Sequence, residues 1–501
     1  MAPSAEQSWA RYRSVMTMND AEQGEGRPEH DAHEARAPRR RERSAVPSSV
    51  IGRASRLGFG ALKGSLRVAM MGPRTLLGKD SPQKLIADLH ANTAQEMVEI
   101  LGRLKGASMK VGQLASFIDA AVLPEEVRDL YQQALGTLRD SAPAMDTRLI
   151  DQAFRNEFKA APEDLFARFD RKHAAAASLG QVHHAALPDG REVAVKVQYP
   201  GIERAIRSDL ALSSTVRPLI PLLAPGLDAG EAMDEIRRRV LQECDYIEEA
   251  RALDLLASHF DGHPFAWVPR SVPERSTRRI LTMERADGRP FAAIRALPQE
   301  GRDRVGEILF RFYYGALHRY GFTSADPHPG NYFLQDDGRM AFFDFGLSFE
   351  LNEPMRPHMH AGFNAFWRGD AQAAFDEGVA MGYIRRPDEI DPDRFFEWME
   401  LSLAPVQHDR EYTFTRDYIA ERTATMIDPG NDWWGLVRRL NLPRWGIMLY
   451  RLELALFAVL AQLGARANWH RITKEFYGEG PPSTDLGQAE AVWLASQSPG
   501  A

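Results

Sequence analysis

Three groups of residues in this chain have types and spacings that can do chemistry together. Lys196 ends the run Val193-Ala194-Val195-Lys196; Asp326 and Asn331 stand five apart in ADPHPGN; Asp344-Phe345-Gly346 begins thirteen residues after Asn331. An ammonium, an amide oxygen and two carboxylates suit a triphosphate. The ammonium meets the phosphates, Asn331 and Asp344 hold Mg²⁺ on them, and Asp326 orients the accepting hydroxyl. Each element alone is a weak signal, since strand lysines are common at surfaces and Asp-Phe-Gly often marks a plain turn. Their order and spacing together point to phosphoryl chemistry.

A phosphate loop precedes the lysine. Aligned on Val182, the segment Ala175-Ala176-Ala177-Ser178-Leu179-Gly180-Gln181-Val182 overlays G-x-G-x-x-G-x-V. Ala175 and Ala177 replace the first two glycines, and Gly180 is kept. Lys196 follows Val182 by fourteen residues, and the Asp326/Asn331 spacing is that of a protein-kinase catalytic loop. The alanines remove backbone freedom where the loop must close over phosphates. No A-P-E run follows Asp344-Phe345-Gly346; Asn352-Glu353-Pro354 is the nearest match. Both features favour slow ATP turnover or a small-molecule substrate over efficient protein phosphorylation.

The elements that must position these groups are legible in outline. LGQVHHAAL, the turn Pro188-Asp189-Gly190 and REVAVKV predict a β-hairpin. A helix is expected over about 230–260, with Ile236, Val240, Cys244 and Ile247 on one stripe, then a strand in RRILTME. That helix should supply the carboxylate that holds Lys196, and Glu235, Glu243, Glu248 and Glu249 are the candidates. On a continuous helix Glu249 shares a face with Asp245, whereas Glu243 is turned about 120° from Glu249. Beyond Arg285 the pattern is helical to near 475, apart from a strand-loop-strand between Asn331 and Phe345.

The flanks carry other signals. The chain has 501 residues with 44% hydrophobic and 26% charged, and a net charge of −7. That composition is globular and gives no reason to expect nucleic acid as a partner. One cysteine, Cys244, excludes an intramolecular disulfide and a thiolate metal cage. Residues 1–47 read as a disordered tail without a secretory h-region. Residues 51–79 form a basic amphipathic stretch suited either to an anionic membrane surface or to the protein's own core. Residues 82–119 read as helical and contain GRLKGASMKVGQLASFID, where Lys110 and Gln113 share a face. Gly446 to Ala465 is apolar, but Arg451 and Glu453 interrupt it, so a buried helix is expected rather than a span.

These strings resemble the UbiB/AarF family of atypical kinase-like proteins, which includes the coenzyme Q biosynthesis kinases. The resemblance runs from about Val46 to at least Glu350. It is carried by KVGQ at Lys110 to Gln113, AAASLGQVH at Ala175 to His183, VAVKVQYPGI at Val193 to Ile202, ECDYIEEA at Glu243 to Ala250, ADPHPGN and DFG. It implies an α+β, protein-kinase-like bilobal fold, with a small β-rich N-lobe at 166–285 and a larger helical C-lobe at 286–501. A helical extension at 48–165, carrying the KxGQ motif, would follow the tail at 1–47 and fold over the active site. Lys110 and Gln113 would cover the place of a peptide substrate. Glu243 and Asp245 match the family's ExD motif, and Glu249 its lysine-pairing glutamate. Asp326, Lys196 and Glu249 would be the catalytic set, and Asn331 and Asp344 the metal ligands. Ala175, Ala176, Ala177, Ser178, Gly180, Val182, Lys196, Met283 and Glu284 would line the nucleotide. Ser324 departs from the histidine that many members carry there, and the last 150 residues match only in being helical.

The resemblance implies binding of ATP or ADP with Mg²⁺, ATPase activity, and support of ubiquinone biosynthesis or other isoprenoid-lipid handling. An isoprenoid or quinone-like lipid is therefore an expected partner, and a cytoplasmic location with peripheral membrane contact through 51–79 is the expected setting. Two other classes fit the sequence less well. A nucleotide-sensing pseudokinase scaffold need not keep Lys196, Asp326, Asn331 and Asp344 all together. A small-molecule phosphotransferase of the antibiotic-kinase type lacks a KVGQ extension.

Overall fold

The computed structural model describes residues 145–497, except 173, 178, most of 205–240, 352–353 and 428–429. The tail, the basic stretch 51–79, the extension with Lys110 and Gln113, Ser178, Glu235 and the Asn352-Glu353 pair lie outside the described residues.

The first lobe is a sheet with one helix on its back. Helix α1 (Thr147–Phe158) precedes β1 (Arg168–Phe169), β2 (Ala175–Ala177), β3 (Gly180–Ala186) and β4 (Glu192–Gln198). With β6 (Ile280–Glu284) these make a five-stranded sheet ordered β1-β3-β4-β6, with β2 also on β3. The expected hairpin forms with Val182 opposite Lys196 and Ala186 opposite Glu192. Gly190 closes it at φ 88°, a left-handed conformation that favours glycine. Side chains alternate across a strand. Val193, Val195 and Val197 are fully buried against Ile150 and Phe154 of α1, which turns Ala194 and Lys196 to the opposite face.

Helix α2 (Tyr246–His259) differs from the expectation of one helix over 230–260. The chain turns at Glu243 and Cys244, and Asp245 is the N-cap, accepting from Ile247 N at 3.0 Å. An aspartate at this position satisfies an amide that the first helical turn leaves open. The break removes the geometric ground for separating Glu243 from Glu249, because the two are not on one continuous helix.

The second lobe is mainly helical. After β5 (Ala266–Trp267), helix α3 (Gln299–Phe310) continues through a π turn, Arg311–Gly315, into Ala316–Tyr320. The strands β7 (Phe322–Ser324), β8 (Tyr332–Leu334), β9 (Met340–Phe342) and β10 (Ser348–Glu350) follow, with β10 on β7 and β9 between β5 and β8. Then come α4 (Met355–Arg368), α5 (Ala371–Ala380), α6 (Pro392–Ser402), α7 (Arg416–Ile427), α8 (Arg444–Leu463), α9 (Trp469–Phe476) and α10 (Asp485–Gln497). Helical structure thus runs past 475, and Tyr412–Thr413 pairs with Arg466–Ala467 as an additional two-stranded sheet. Helix α8 is long and apolar enough to cross a membrane, but most of it is buried, with Leu452, Leu456, Leu460 and Leu463 inaccessible in the core.

Arg311, at 1% exposure, ties the end of the chain to this lobe. It donates to Glu307 at 2.7 Å, Glu475 at 2.8 Å and Glu490 of α10 at 2.9 Å. Three carboxylates hold its guanidinium charged despite burial. The small β-rich lobe and the larger helical lobe together make the α+β bilobal fold of a protein kinase.

Candidate functional site

Lys196 is where the lobes meet. Its Nζ lies 2.5 Å from Glu249 Oε1 and 3.2 Å from Asp344 Oδ2, joining β4, α2 and the turn after β9. Lys196 and Glu249 are buried, whereas the Asp344 side chain is 37% exposed and is the outward-facing member. Burial alone would lower the lysine's pKa, but Asp344 and Glu249 hold it well above its ordinary value. Glu249 is pushed up by burial and by Asp344, against the pull of Lys196. Burial and the sharing of one ammonium by two carboxylates together set both shifts.

Glu243 joins this group. A Cβ placed on Gly346 would lie 3.7 Å from both Glu243 Cγ and Asp344 Oδ1, and 4.0 Å from Glu249 Oε2. The break before α2 is what returns Glu243 to the same spot. Asp245 faces elsewhere: besides capping α2, its carboxylate pairs with Arg278 at 3.1 Å. Glu248 is half-exposed and pairs with Arg251.

The loop between β7 and β8 carries the second half of the site. Asn331 Nδ2 donates to Asp326 O at 3.0 Å and Oδ2 at 3.1 Å. Ser324 is fully buried, and its hydroxyl accepts from Asp326 N at 3.2 Å. Phe343 N donates to Asn331 O at 3.1 Å, which sets Asn331 beside the strand end that leads into Asp344. Arg451 of α8, one signal that no local pattern announced, reaches Asp326 Oδ1 at 3.1 Å.

Ala175, Ala176 and Ala177 form β2, with Ala175 opposite Val182 and Ala177 opposite Gly180. A Cβ on Gly180 would stand 2.0 Å from Val197 O, so glycine is required by the approach of β4. Met283 pairs with Ala194 and is buried; Glu284 pairs with Val193, and its carboxylate accepts from Arg270 N at 2.8 Å.

The donor set fits a hard cation. With its amide nitrogen turned to Asp326, Asn331 has an amide oxygen that accepts no hydrogen bond among the described residues. That oxygen and the Asp344 carboxylate are the ligand types Mg²⁺ takes, with water and phosphate oxygens completing the shell.

This fold and this cluster define a kinase-like protein. Residues 137–377 match the ABC1 atypical kinase-like domain. The chain is 27% identical over 468 residues to the atypical kinase COQ8, mitochondrial, of Saccharomyces cerevisiae, covering 92% of this chain and 91% of that one. It is 32% identical over 397 residues to the atypical kinase coq-8, mitochondrial, of Caenorhabditis elegans, covering 77% of this chain and 52% of that one. The zebrafish COQ8B match spans 59% of that protein, so the chain covers little more than half the length of these two animal relatives. A solved complex of Rv3197 with erythromycin from Mycobacterium tuberculosis is 30% identical, with a TM-score of 0.56 over 79% of this chain and 98% of that one. The chain belongs to the ABC1, or UbiB/AarF, family of atypical kinase-like proteins.

Proposed function

We propose that the chain binds Mg-ATP or Mg-ADP between the lobes and turns ATP over slowly, as an atypical kinase or ATPase. The observation that carries this reading is the single ammonium of Lys196 shared by Glu249 at 2.5 Å and Asp344 at 3.2 Å. Glu249 keeps the lysine extended toward the phosphates. Asn331 and Asp344 would hold Mg²⁺, which supplies charge neutralisation on the phosphate oxygens. Asp326, fixed on three sides, orients the accepting hydroxyl or water. Ala175, Ala176, Ala177, Ser178, Gly180 and Val182 cover the phosphates, and the backbone at Met283 and Glu284 faces the base. The alanine-substituted loop and the missing A-P-E run favour water or a small molecule as acceptor.

The remaining assignments follow the family. Residues 48–165 would form the extension that lays Lys110 and Gln113 over the cleft, next to Glu243 and Asp245, and residues 166–285 and 286–501 the two lobes. The proposed role is in ubiquinone or other isoprenoid-lipid metabolism, with a quinone-like lipid as partner. Peripheral membrane contact would run through 51–79, and the three COQ8 relatives named above are mitochondrial.

Phosphate release by the purified chain tests the nucleotide reading. Asp344→Asn should abolish Mg-dependent release, and equal rates in the two proteins would refute an ATPase centred here. Lys110→Ala should change nucleotide preference or self-phosphorylation; no change in either would remove the covering role. Co-sedimentation with anionic liposomes, with and without Mg-ATP, tests the membrane contact, and recovery in the supernatant under both conditions would end it.

A further inference from the structure

Helix α2 carries Glu249 and is tied to both lobes. Along its length it is held to the segment that leads into β6. Asp245 pairs with Arg278 at 3.1 Å, and Asp254 accepts from Ser271 N at 2.8 Å and from the Ser271 hydroxyl at 2.7 Å. At its end the partners change. The His259 ring stacks on Tyr320 at 4.2 Å and Phe260 packs on Phe312 at 4.7 Å, both in the helical lobe.

The turn after α2, residues 261–263, meets the far end of the chain. Trp493 Nε1 of α10 donates to Asp261 O at 3.0 Å. His263 Nδ1 accepts from Ala266 N at 3.2 Å, so the ring proton sits on Nε2 and points at Glu490 Oε1, 3.4 Å away. The Trp493 ring meets the His263 ring edge-on at 4.4 Å, and all three side chains are buried. Among the described residues these two hydrogen bonds are the polar ties from the turn to the helical lobe, and both come from α10. Glu490 is itself fixed by Arg311 at 2.9 Å and Arg319 at 3.0 Å, so the support behind the turn is firm.

We propose that α10 is a strut that sets the reach of Glu249, with Trp493 and His263 as positioning residues for the Lys196–Glu249 pair. Leverage gives the strut its effect. Glu249 stands eleven residues before Phe260, about 17 Å along the helix axis. A tilt of about 5° about the far end therefore moves Glu249 by about 1.4 Å. A displacement of that size along the 2.5 Å contact with Lys196 takes it beyond hydrogen-bond range. The strut stands on these contacts alone; its effect on turnover rests on the nucleotide reading above.

Two measurements on the full chain test the strut without nucleotide, both read by mass spectrometry: amide hydrogen exchange, and acetylation of Lys196 by N-hydroxysuccinimide acetate. Trp493→Leu removes the ring and its N–H, whereas Trp493→Phe keeps a ring and loses the N–H. In Trp493→Leu the amides of Tyr246–His259 should exchange at least tenfold faster. Lys196 should be acetylated at least threefold faster, because an amine released from Glu249 gives up its proton more readily. Trp493→Phe should shift both in the same direction and by less. Ile390→Ala truncates a core side chain just before α6, outside the core cluster that holds α2, and should leave both at wild-type values. Wild-type values in either Trp493 variant, or equal acceleration in Ile390→Ala, would overturn the proposal. If Trp493→Leu does not fold, Trp493→Phe decides alone. With Mg-ATP, Trp493→Leu should turn over at least tenfold more slowly, and a loosened α2 with unchanged turnover would overturn the positioning role. No turnover by the wild type would count against the nucleotide reading and leave the strut to the two nucleotide-free measurements.

Discussion

Arg451 Nη2 donates to Asp326 Oδ1 at 3.1 Å, from a helix 125 residues further along the chain. The other carboxylate oxygen takes Asn331 Nδ2 at 3.1 Å, and the backbone amide goes to Ser324. Asp326 is therefore held by three different elements, and only α8 supplies a charge.

Arg451→Met should release one oxygen of Asp326 without touching Lys196, Asn331 or Asp344. Misplacement of a reacting group by about 1 Å costs on the order of a hundredfold in rate. The expected result is a fall in kcat of roughly tenfold to a hundredfold with nucleotide affinity unchanged, and partial recovery in Arg451→Lys. Weakened nucleotide binding with normal kcat would show that Arg451 does not act through Asp326.

Gly180→Ala should be among the costliest single-methyl changes in the small lobe. The added carbon meets Val197 O at 2.0 Å, and backbone cannot retreat without parting β3 from β4. Overpacking of this kind costs about 1–3 kcal/mol. Urea unfolding should give a lower midpoint, and Mg-nucleotide affinity should fall because β4 carries Lys196. An unchanged midpoint would mean that β4 does not approach so closely.

Asp245 offers a graded test of the break before α2. Asp245→Asn keeps a capping oxygen for Ile247 N and loses only the exposed pair with Arg278. Asp245→Ala loses both and should cost about 1 kcal/mol. If the two variants are equally stable to urea, the cap contributes nothing.

The Arg311 cluster makes an acid-dependent contribution. Burial pushes Glu490 up, but His263, Arg319 and Arg311 outweigh it and draw the carboxyl down to about 2. Glu307, Glu475 and Thr484 complete the surroundings of Arg311. A carboxyl depressed on folding stabilises above its unfolded value and stops doing so as pH falls through the folded one. The stability difference between wild type and Glu490→Gln should reach about 3 kcal/mol at neutral pH and shrink between about pH 5 and pH 2. A difference that stays constant across that window would place the effect in packing instead.

The sequence announced some of these features and hid others, for physical reasons. The β3–β4 hairpin was legible because alternation and a Pro-Asp-Gly turn are local signals. The loop at Asp326 and the turn at Asp344 were legible because ADPHPGN and DFG are short local strings with fixed spacing. The continuous helix over 230–260 was an error: its apolar stripe carries across Asp245, whose capping role shows only once a helix begins there. Arg451 was visible only as an interruption of an apolar run, and Arg311 and Arg422 gave no signal, because each finds a partner at least 31 residues distant or completes a network spread over several helices.

Helix α8 bears on how the chain is made. Its 20 residues have the length and apolarity that the insertion machinery recognises as a bilayer anchor. Arg451 and Glu453 stand near its middle, where a charged residue such as arginine adds about 2.5–3.5 kcal/mol to partitioning into lipid. The two side chains that grip Asp326 and Arg422 in the finished protein thus make lipid an expensive destination for the segment while it is still being synthesised. Leucine at both positions would erase that discouragement together with the two contacts.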